Sequence, residues 1–494
     1  MKKIEKKIDS IFKTIQTMNG QSSDIKTRKI EQNDNRIGIV FLESVSSDDK
    51  ISDFLIRSIM TLAKNKKITS KELFTILYNH LFNSTIKEVT TYDDLFFHLA
   101  SGFTAVFVED EEKAIVVETR TTLDRGVQES TTDVSILGPK DSFTENPVIN
   151  LGLIRKRIKD PNLYFEEMKI GRRTKSKVTL AYIQDIASET RVKKLKNRLN
   201  EIDIDGILDS GNLRSFLNQQ PSSFPKIIST ERPDLVCGQL LEGKIAILVE
   251  NTPFVLIFPT VFVDFLHSPG DYYQKSFNVN FSRFLRLFGF LITLLVPAAY
   301  IAIMTYNPEM VPDKLFISIA IQREGVPFPT AFEVLMLGMT FELLRECDLR
   351  MPSKMGNAIS VVGGLVLGEA AVNAGIVSPF AVIIVAITSI SGLLFSDIDM
   401  INALRWWRLI FMLFAAVSGM IGVVVASILL ITHLASIETL GVPYLTPLAP
   451  FLLEEQKDAI FIEKNKNMKH RPSYLTKKNR RRLNFKEGNH EKKA

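Results

Sequence analysis

The chain has 494 residues, more than one compact core usually needs, so at least two domains are expected. Its net charge of +6 is modest and lies mainly near the ends, in "MKKIEKK" and "KNKNMKHRPSYLTKKNRRR", which favours a lipid surface over nucleic acid because no recognition fold accompanies it. Two cysteines and six scattered histidines exclude a disulfide framework and a zinc-type ligand set, so no metal and no cofactor are expected.

The composition changes along the chain and predicts an α/β N-terminal region followed by an all-α, multi-pass membrane domain. Residues 1–35 are polar and are predicted to form a flexible N-terminus. Two α/β subdomains are predicted over 36–125 and 126–270, a transmembrane domain of about five helical segments over 281–453, and a basic cytoplasmic tail over 455–494. The N-terminal stretch lacks the apolar core of a signal peptide, so the large first region is expected to stay in the cytoplasm.

Local patterns predict helices and hairpins in both subdomains. In the first, "SKELFTILYNHLF" (70–82) has apolar residues at helical spacing, and "FTAVFVED" with "KAIVVETR" (103–120) predicts a β-hairpin. In the second, Asn146 can cap a helix that has Pro147 at its first position, and 243–259 predicts another hairpin. We find no sequence repeat that relates the two subdomains.

Three segments pass the length test for a membrane helix, namely 287–306, 378–395 and 409–434. Two more, 326–347 and 356–375, are ambiguous because the first carries charges and the second many glycines. The basic clusters between segments all predict a cytoplasmic position, yet five complete crossings would place the tail on the opposite side from the N-terminal region. Either one ambiguous segment is re-entrant or 441–453 returns into the membrane, and we favour a cytoplasmic tail.

The glycine-rich segment has an ordered spacing. Small residues recur at every fourth position, at Gly356, Ser360, Gly364 and Gly368. Such a ridge lets helices approach closely in lipid and is predicted to be the helix-packing side. Glu369 and Asn373, also four apart, lie on a neighbouring face with Val362 and Val366. Because a carboxylate facing lipid costs roughly 2.5 kcal/mol or more, this face is expected to contact protein or water.

The segment "FPTAFEVLMLGMTFELLREC" (328–347) carries four ionisable residues. Glu342 can pair with Arg345, and Glu346 lies on the same face. Glu333 lies nine positions before Glu342, about half a rotation away, so one polar stripe cannot hold all four. The end near residue 347 is predicted to lie in water at the cytoplasmic interface, so Glu333 is the charged residue that remains inside the membrane segment. For Glu333, as for Glu369, two alternatives remain open: a buried acid satisfied by neighbouring groups, or a group on an ion path.

Sequence motifs of common enzymes are missing. We find no phosphate-binding loop, dinucleotide fingerprint, HExxH, GxSxG or kinase motif in the sequence. We therefore expect no enzymatic activity.

Many ordered stretches together resemble the spore germination receptor A-subunit family, the GerA family. In the α/β region they are "LGPKDSFTENPVINLGLIRKRIKDPNL", "FPKIISTERPD", "LLEGKIAILVENTPFVLIFP" and "SPGDYY", and in the membrane part the longest is "REGVPFPTAFEVLMLGMTFELLRECDLRMPSKMGNAISVVGGLVLGEAAVNAGIVSP". The resemblance covers about residues 36–480. The residues matched to the first motif are Gly138, Pro139, Phe143, Glu145, Arg155 and Arg157. The chain departs from the family's usual pattern at Leu137, where arginine is more usual, and at Leu337 and Gly338, where a Met-Glu pair is common.

The resemblance implies a subunit of a nutrient germinant receptor in the spore inner membrane, with its N-terminal domain in the cytoplasm. It implies a transporter-like B-subunit and a C-subunit lipoprotein as partners, and a homo-oligomer that releases monovalent cations when nutrient binds. The pore or coupling candidates are then Glu333, Glu342, Val362, Val366, Glu369 and Asn373. The alternatives are a non-conducting scaffold or signal-relay subunit, and a secondary transporter, which the small membrane region without an inverted repeat disfavours.

Overall fold

The computed structural model describes residues 2–20, 22–32, 35–62, 69–81, 85–121, 137–218, 221–350, 366, 368–463, 467–476 and 478–482. Within them, an α/β region that contains two sheets is followed by a bundle of apolar helices. The fold class predicted from the sequence is therefore confirmed.

The first subdomain is a five-stranded antiparallel sheet with the strand order β1-β2-β4-β5-β3. Its elements are α1 (Ile8–Met18), β1 (Ile25–Gln32), β2 (Asn35–Leu42), the π-helix Lys50–Ile56 that continues as α2 (Arg57–Leu62), α3 (Ser70–His80), β3 (Ile86–Val89), α4 (Tyr92–Ala100), β4 (Phe103–Val108) and β5 (Ala114–Glu118). Helices cover both faces of the sheet, so every residue of β4 is buried.

The second subdomain repeats this order of elements. Its elements are α5 (Pro147–Arg157), β6 (Leu163–Ile170), β7 (Ser176–Ile183), α6 (Glu189–Asn200), α7 (Ser210–Leu217), β8 (Ile228–Thr230), α8 (Pro233–Leu241), β9 (Ile245–Val249) and β10 (Val255–Phe258). The strand order, β6-β7-β9-β10-β8, matches that of the first sheet strand for strand. The two subdomains are thus structural repeats, although their sequences show no repeat.

The N-terminus is part of the first subdomain, which corrects the prediction of a flexible segment over 1–35. Helix α1 buries Ile8, Ile11, Phe12 and Ile15, which are spaced as one helical face, and it packs on β2. Strand β1 then pairs with β2 along its whole length. Most polar residues of α1 and β1 lie on the outer faces of the helix and the strand, which explains why the composition alone resembled a loose segment.

The helical bundle follows a short junction. Its helices are α9 (Ser276–Thr305), α10 (Asp313–Arg323), α11 (Thr330–Arg350), α12 (described helical residues 368–373), α13 (Pro379–Gly392) and α14 (Ile398–Ser436). Among the described helices, α9 and α14 have the length and apolar composition that a membrane span requires, and α13 is a shorter apolar helix.

Helix α14 is a hairpin of two helical arms. Gly419 interrupts it with φ 60° and ψ −139°, and the chain then folds back, because the rings of Trp407 and His433 lie only 5.5 Å apart. In a straight helix these two residues would be separated by about 39 Å. We call the residues before Gly419 the first arm and those after it the second arm. The first arm is about 31 Å long and the second about 26 Å.

The hairpin changes the expected course of the chain. The predicted segment 409–434 is not one crossing, because the chain turns at Gly419. The tip lies beside the end of α9, where the hydroxyl of Tyr306 donates to the carbonyl of Ala416 over 2.9 Å. At the other end, the α/β region contacts both arms: Ser223 accepts from Trp407 at 3.0 Å, and Ser222 lies 3.1 Å from His433. Both ends of the hairpin therefore lie on the side of the α/β region.

The tail also lies on that side. Residues 441–453 do not return into the bundle, since the carbonyl of Tyr444 accepts from the amide of Phe262 at 2.7 Å and the two rings are in contact. Farther on, Arg191 donates to the carbonyl of Leu475 at 2.8 Å, and Asn479 donates to Asp185 at 2.8 Å. The α/β region and the described tail are thus at the same end of the bundle. Between them, the chain must therefore run along the length of the bundle an even number of times.

Candidate functional site in the helical bundle

Glu333 is fully buried, with an exposed fraction of 0%. Its Oε1 atom accepts hydrogen bonds from the amide and the hydroxyl of Ser378, at 2.5 and 2.6 Å. Its Oε2 atom lies 3.5 Å from Nε of Arg323, in an ion pair without a well-aligned hydrogen bond. A buried carboxylate thus ties α11 to the start of α13 and to the end of α10, and one of its oxygens retains hydrogen-bonding capacity.

Glu342 pairs with residues of another helix. Its two oxygens accept from Nε of Arg405 at 2.5 Å and from a terminal nitrogen of Arg408 at 2.7 Å, both on the first arm of α14. The pairing with Arg345 that the sequence spacing allows does not form, because the two arginines of the neighbouring helix occupy both carboxylate oxygens. Arg405 and Arg408 are three residues apart and therefore share one helical face, but nothing in the sequence indicates which acid they meet.

The face predicted for Glu369 and Asn373 is exposed. Both side chains project from α12 into the surroundings, and Val366 is 56% exposed. The opposite side of the helix packs inward, since a Cβ atom on Gly368 would lie 3.8 Å from the side chain of Val382 on α13. The described end of this segment therefore has a packing side that includes Gly368 and a separate side with polar groups.

The remaining members of this predicted pattern lie outside the described residues. They are Gly356, Ser360, Val362 and Gly364. Their roles as helix-packing and pore-lining residues stay predictions. In the structure, Glu333 and Glu342 each pair with arginines of other helices. Glu369 and Asn373 lie elsewhere, on the exposed side of α12.

The junction between the α/β region and α9 is a buried ion-pair network. Arg286 makes two hydrogen bonds to Asp271, at 2.6 and 2.9 Å, and Arg283, which is 1% exposed, donates to Asp458 of the tail at 3.0 Å. Burial would raise the pKa of Asp271, but the hydrogen bond and charge of Arg286 outweigh it and lower this pKa. The sequence gives no indication of the partners of these two arginines, because Asp458 lies 175 residues away from Arg283 along the chain.

The residues matched to the first motif have structural positions in the α/β region. Gly138 has φ +114°, and a Cβ atom there would lie 2.6 Å from the ring of Tyr273, so only glycine fits. The carbonyl of Pro139 accepts from Arg232 at 3.0 Å. Phe143 is fully buried, whereas Glu145 is exposed. These positions fix the segment that leads into α5 against the junction.

The two arginines of this motif are held by acids. Arg157 makes two hydrogen bonds of 2.6 Å to Asp141. Arg155 is 2% exposed and pairs with Asp24 of the first subdomain at 3.1 Å. Arg155 therefore connects the two subdomains, a role that required Asp24, which lies in the stretch predicted to be flexible.

Comparisons with known proteins agree on one family. The family model for the Bacillus/Clostridium GerA spore germination protein matches residues 13–474. Spore germination protein KA of Bacillus subtilis (strain 168) is 40% identical over 447 residues, which is 90% of this chain and 82% of that protein. The uncharacterized membrane protein YfkQ of the same organism is 34% identical over 442 residues, 89% of this chain and 85% of its own length.

A solved structure is also similar to part of the chain. The crystal structure of the N-terminal domain of the A subunit of the Bacillus megaterium spore germinant receptor GerK3 is 33% identical. It covers 53% of this chain and 98% of its own, with a TM-score of 0.42.

Proposed function

Since the chain belongs to the Bacillus/Clostridium GerA family of spore germination proteins, we propose that it is the A-subunit of a nutrient germinant receptor in the spore inner membrane. Its proposed partners are a transporter-like B-subunit that holds the nutrient site and a C-subunit lipoprotein. The family resemblance of the motifs carries this assignment, and the junction network provides a physical connection between an α/β region and a helical bundle.

The helical bundle is proposed to span the membrane. The two arms of α14, about 31 and 26 Å long, have lengths close to the roughly 30 Å of a hydrocarbon core, and α9, about 45 Å long, is more than long enough to cross it. Large apolar side chains on their outer surfaces are exposed, for example Phe288, Val417 and Ile421 at 50%, 75% and 74%. A surface of this kind needs lipid or protein to cover it. This placement is also supported by the similarity to YfkQ, which is named as a membrane protein.

A labelling experiment tests the orientation. In a variant in which exposed Cys347 is replaced by serine and buried Cys237 is retained, a cysteine introduced at Glu309, which follows α9, is expected to react with a membrane-impermeant maleimide in intact protoplasts of a bacterium that expresses the protein. Cysteines introduced at Glu112 of the α/β region and Glu454 of the tail are expected to react only after permeabilisation, because both lie at the other end of the bundle; the parent variant gives the background from Cys237. Reaction of the Glu454→Cys variant in intact protoplasts would contradict the cytoplasmic tail.

We further propose that copies of this chain form an oligomeric pathway for monovalent cations. The observation that carries this proposal is the exposed side of α12, which holds the polar residues Glu369 and Asn373 beside Val366. In a membrane, an uncompensated carboxylate on such a surface is costly, so it should face water or another subunit. Rings of acidic side chains select for cations, and valine rings can form apolar constrictions. Val362, four residues before Val366, is proposed to extend this lining.

Replacing Glu369 by glutamine is expected to slow or reduce potassium release from spores exposed to nutrient, because one negative charge per subunit is lost from the proposed pathway. Potassium release is measured with an ion-selective electrode, and receptor abundance is measured by immunoblot. Glu112→Gln, an equivalent substitution on the surface of the α/β region, is the matched control and should leave release unchanged.

The same experiment separates conduction from the scaffold alternative. A scaffold or signal-relay subunit would not require an acid on this side of α12. If the Glu369→Gln variant reaches normal abundance and releases potassium at the normal rate, Glu369 is a structural acid, and the cation-pathway proposal loses its supporting observation.

A further inference from the structure

A cavity of about 300 Å³ lies between α11, α13 and the first arm of α14. Most of its wall is apolar and includes Phe341, Leu344, Ile390 and Leu404. One end is lined by the charged residues Glu342, Arg345, Arg405 and Arg408. The cavity is therefore amphipathic, with a hydrocarbon-like body and a strongly polar end.

The polar end has an excess of positive charge. Its lining contains three guanidinium groups and one carboxylate, and the exposed carboxylate of Glu346 outside the lining also acts on Arg345, so the region keeps a net charge of +1. Both oxygens of Glu342 are used by Arg405 and Arg408. Arg345 makes no hydrogen bond or ion pair to any atom of the described chain, and it lines the same space. The end of the cavity can thus accept an anion without breaking an existing pair.

The polar end also lies at the depth of lipid headgroups in the proposed orientation. Asp399, at the start of the first arm, forms an ion pair with Arg214 of the α/β region. Arg405 is six residues farther along the arm, about 9 Å. The neighbouring Trp406 is 65% exposed, as is common for tryptophan at a membrane interface. The arginines are therefore next to the headgroup layer, and the apolar body extends into the bundle.

We propose that this cavity binds one anionic phospholipid from the leaflet on the side of the α/β region. Its phosphate contacts Arg345 and the free N–H groups of Arg405 and Arg408, since guanidinium groups bind phosphate with directed, charge-assisted hydrogen bonds. The first part of one acyl chain fills the apolar body. Basic sites between membrane helices on this side of a bilayer are typical binding places for acidic headgroups. This inference rests on the membrane placement proposed above and is independent of ion conduction.

The test uses the full-length protein in detergent and native mass spectrometry. Phosphatidylglycerol and phosphatidylcholine with identical acyl chains are added separately. The wild-type protein is expected to retain one phosphatidylglycerol at concentrations where it retains no phosphatidylcholine. Arg345→Gln should weaken this binding about tenfold. Ala386→Phe, which places a large side chain in the apolar part of the cavity, should abolish it. Lys314→Gln, an exposed cation on α10, is the control and should bind as wild type does.

Several results would overturn the proposal. Equal retention of both lipids would exclude recognition of the anionic headgroup, and unchanged phosphatidylglycerol binding in Arg345→Gln would exclude this cavity even if Ala386→Phe did not fold. If inorganic phosphate displaces phosphatidylglycerol from the wild type, and the Ala386→Phe variant still binds phosphatidylglycerol, the site recognises the phosphate group alone. Extraction of the protein from membranes by alkaline carbonate would instead refute the membrane placement.

Discussion

Replacing Asp24 by asparagine is expected to destabilise the α/β region by about 3–5 kcal/mol, because the Arg155 guanidinium is then left buried without its counter-charge. The two side chains are 1% and 2% exposed, and one terminal nitrogen of Arg155 lies 3.1 and 3.2 Å from the two oxygens of Asp24. The hydroxyl groups of Ser22 and Ser44 also donate to Asp24, at 2.6 and 3.1 Å. Asparagine keeps the shape of the site but removes the charge.

The measurement is hydrogen exchange of peptides from β1 and β6 in the full-length protein, as a function of denaturant. Those strands flank the pair and report on it directly, whereas both tryptophans lie in the helical bundle. Glu43→Gln is the control, since Glu43 forms an exposed ion pair with Lys26 and its loss should change the stability by no more than about 1 kcal/mol. Equal exchange in the Asp24 and Glu43 variants would show that the buried pair contributes little.

Much of the α/β region was predictable because its signals are local. Strands β4 and β5 were found from two apolar runs around an acidic turn, and they pair with Val106 opposite Ile115. Helix α5 begins at Pro147 after Asn146, whose side chain accepts from the amide of Val148 at 3.0 Å, as the capping pattern predicts. A cap or a hairpin turn involves neighbours in sequence, so its residues can be recognised without the fold.

The repeat of the two subdomains was not predictable. Both have the element order α-β-β-α-α-β-α-β-β. That order depends only on the periodicity of apolar residues and on turns, which many different residues can provide. Two copies can therefore keep one topology after their sequences have lost any detectable similarity. For a similar reason, α1 and β1 were not recognised in the sequence, because polar residues on their outer faces outnumber the buried apolar ones.

The candidate site was predictable only in part, because its partners come from distant elements. The sequence identified Glu333 and Glu342 as unusual acids in an apolar segment. It could not show that Ser378 would satisfy Glu333, or that Arg405 and Arg408 would meet Glu342 from 63 and 66 residues away. Contacts of this range are set by how helices pack, and spacing along one helix does not specify them.

Replacing Gly422 by alanine is expected to disrupt the helical hairpin and to reduce the amount of folded protein in the membrane at least tenfold. A Cβ atom at this position would lie 2.0 Å from the carbonyl oxygen of Phe414 and 2.5 Å from its carbonyl carbon. Because these are backbone atoms of the facing arm, no side-chain rotation can relieve the overlap, and the two arms must separate. Overpacking of this kind costs about 1–3 kcal/mol or more. The variant is measured by immunoblot of membrane fractions and by thermal unfolding in detergent.

Gly338→Ala is the matched control, because a Cβ atom there meets no atom of the described residues within 4 Å. Gly338 lies inside α11, where alanine is favoured over glycine by about 0.5–1 kcal/mol, so this variant should be at least as stable as the wild type. Gly419→Ala should resemble Gly422→Ala, since Gly419 has φ 60° and its Cβ atom would lie 2.8 Å from that of Tyr306. If all three variants were equally abundant, the sharp turn would not be needed for folding. If only Gly338→Ala were abundant, the close approach of the two arms would be a requirement of the fold.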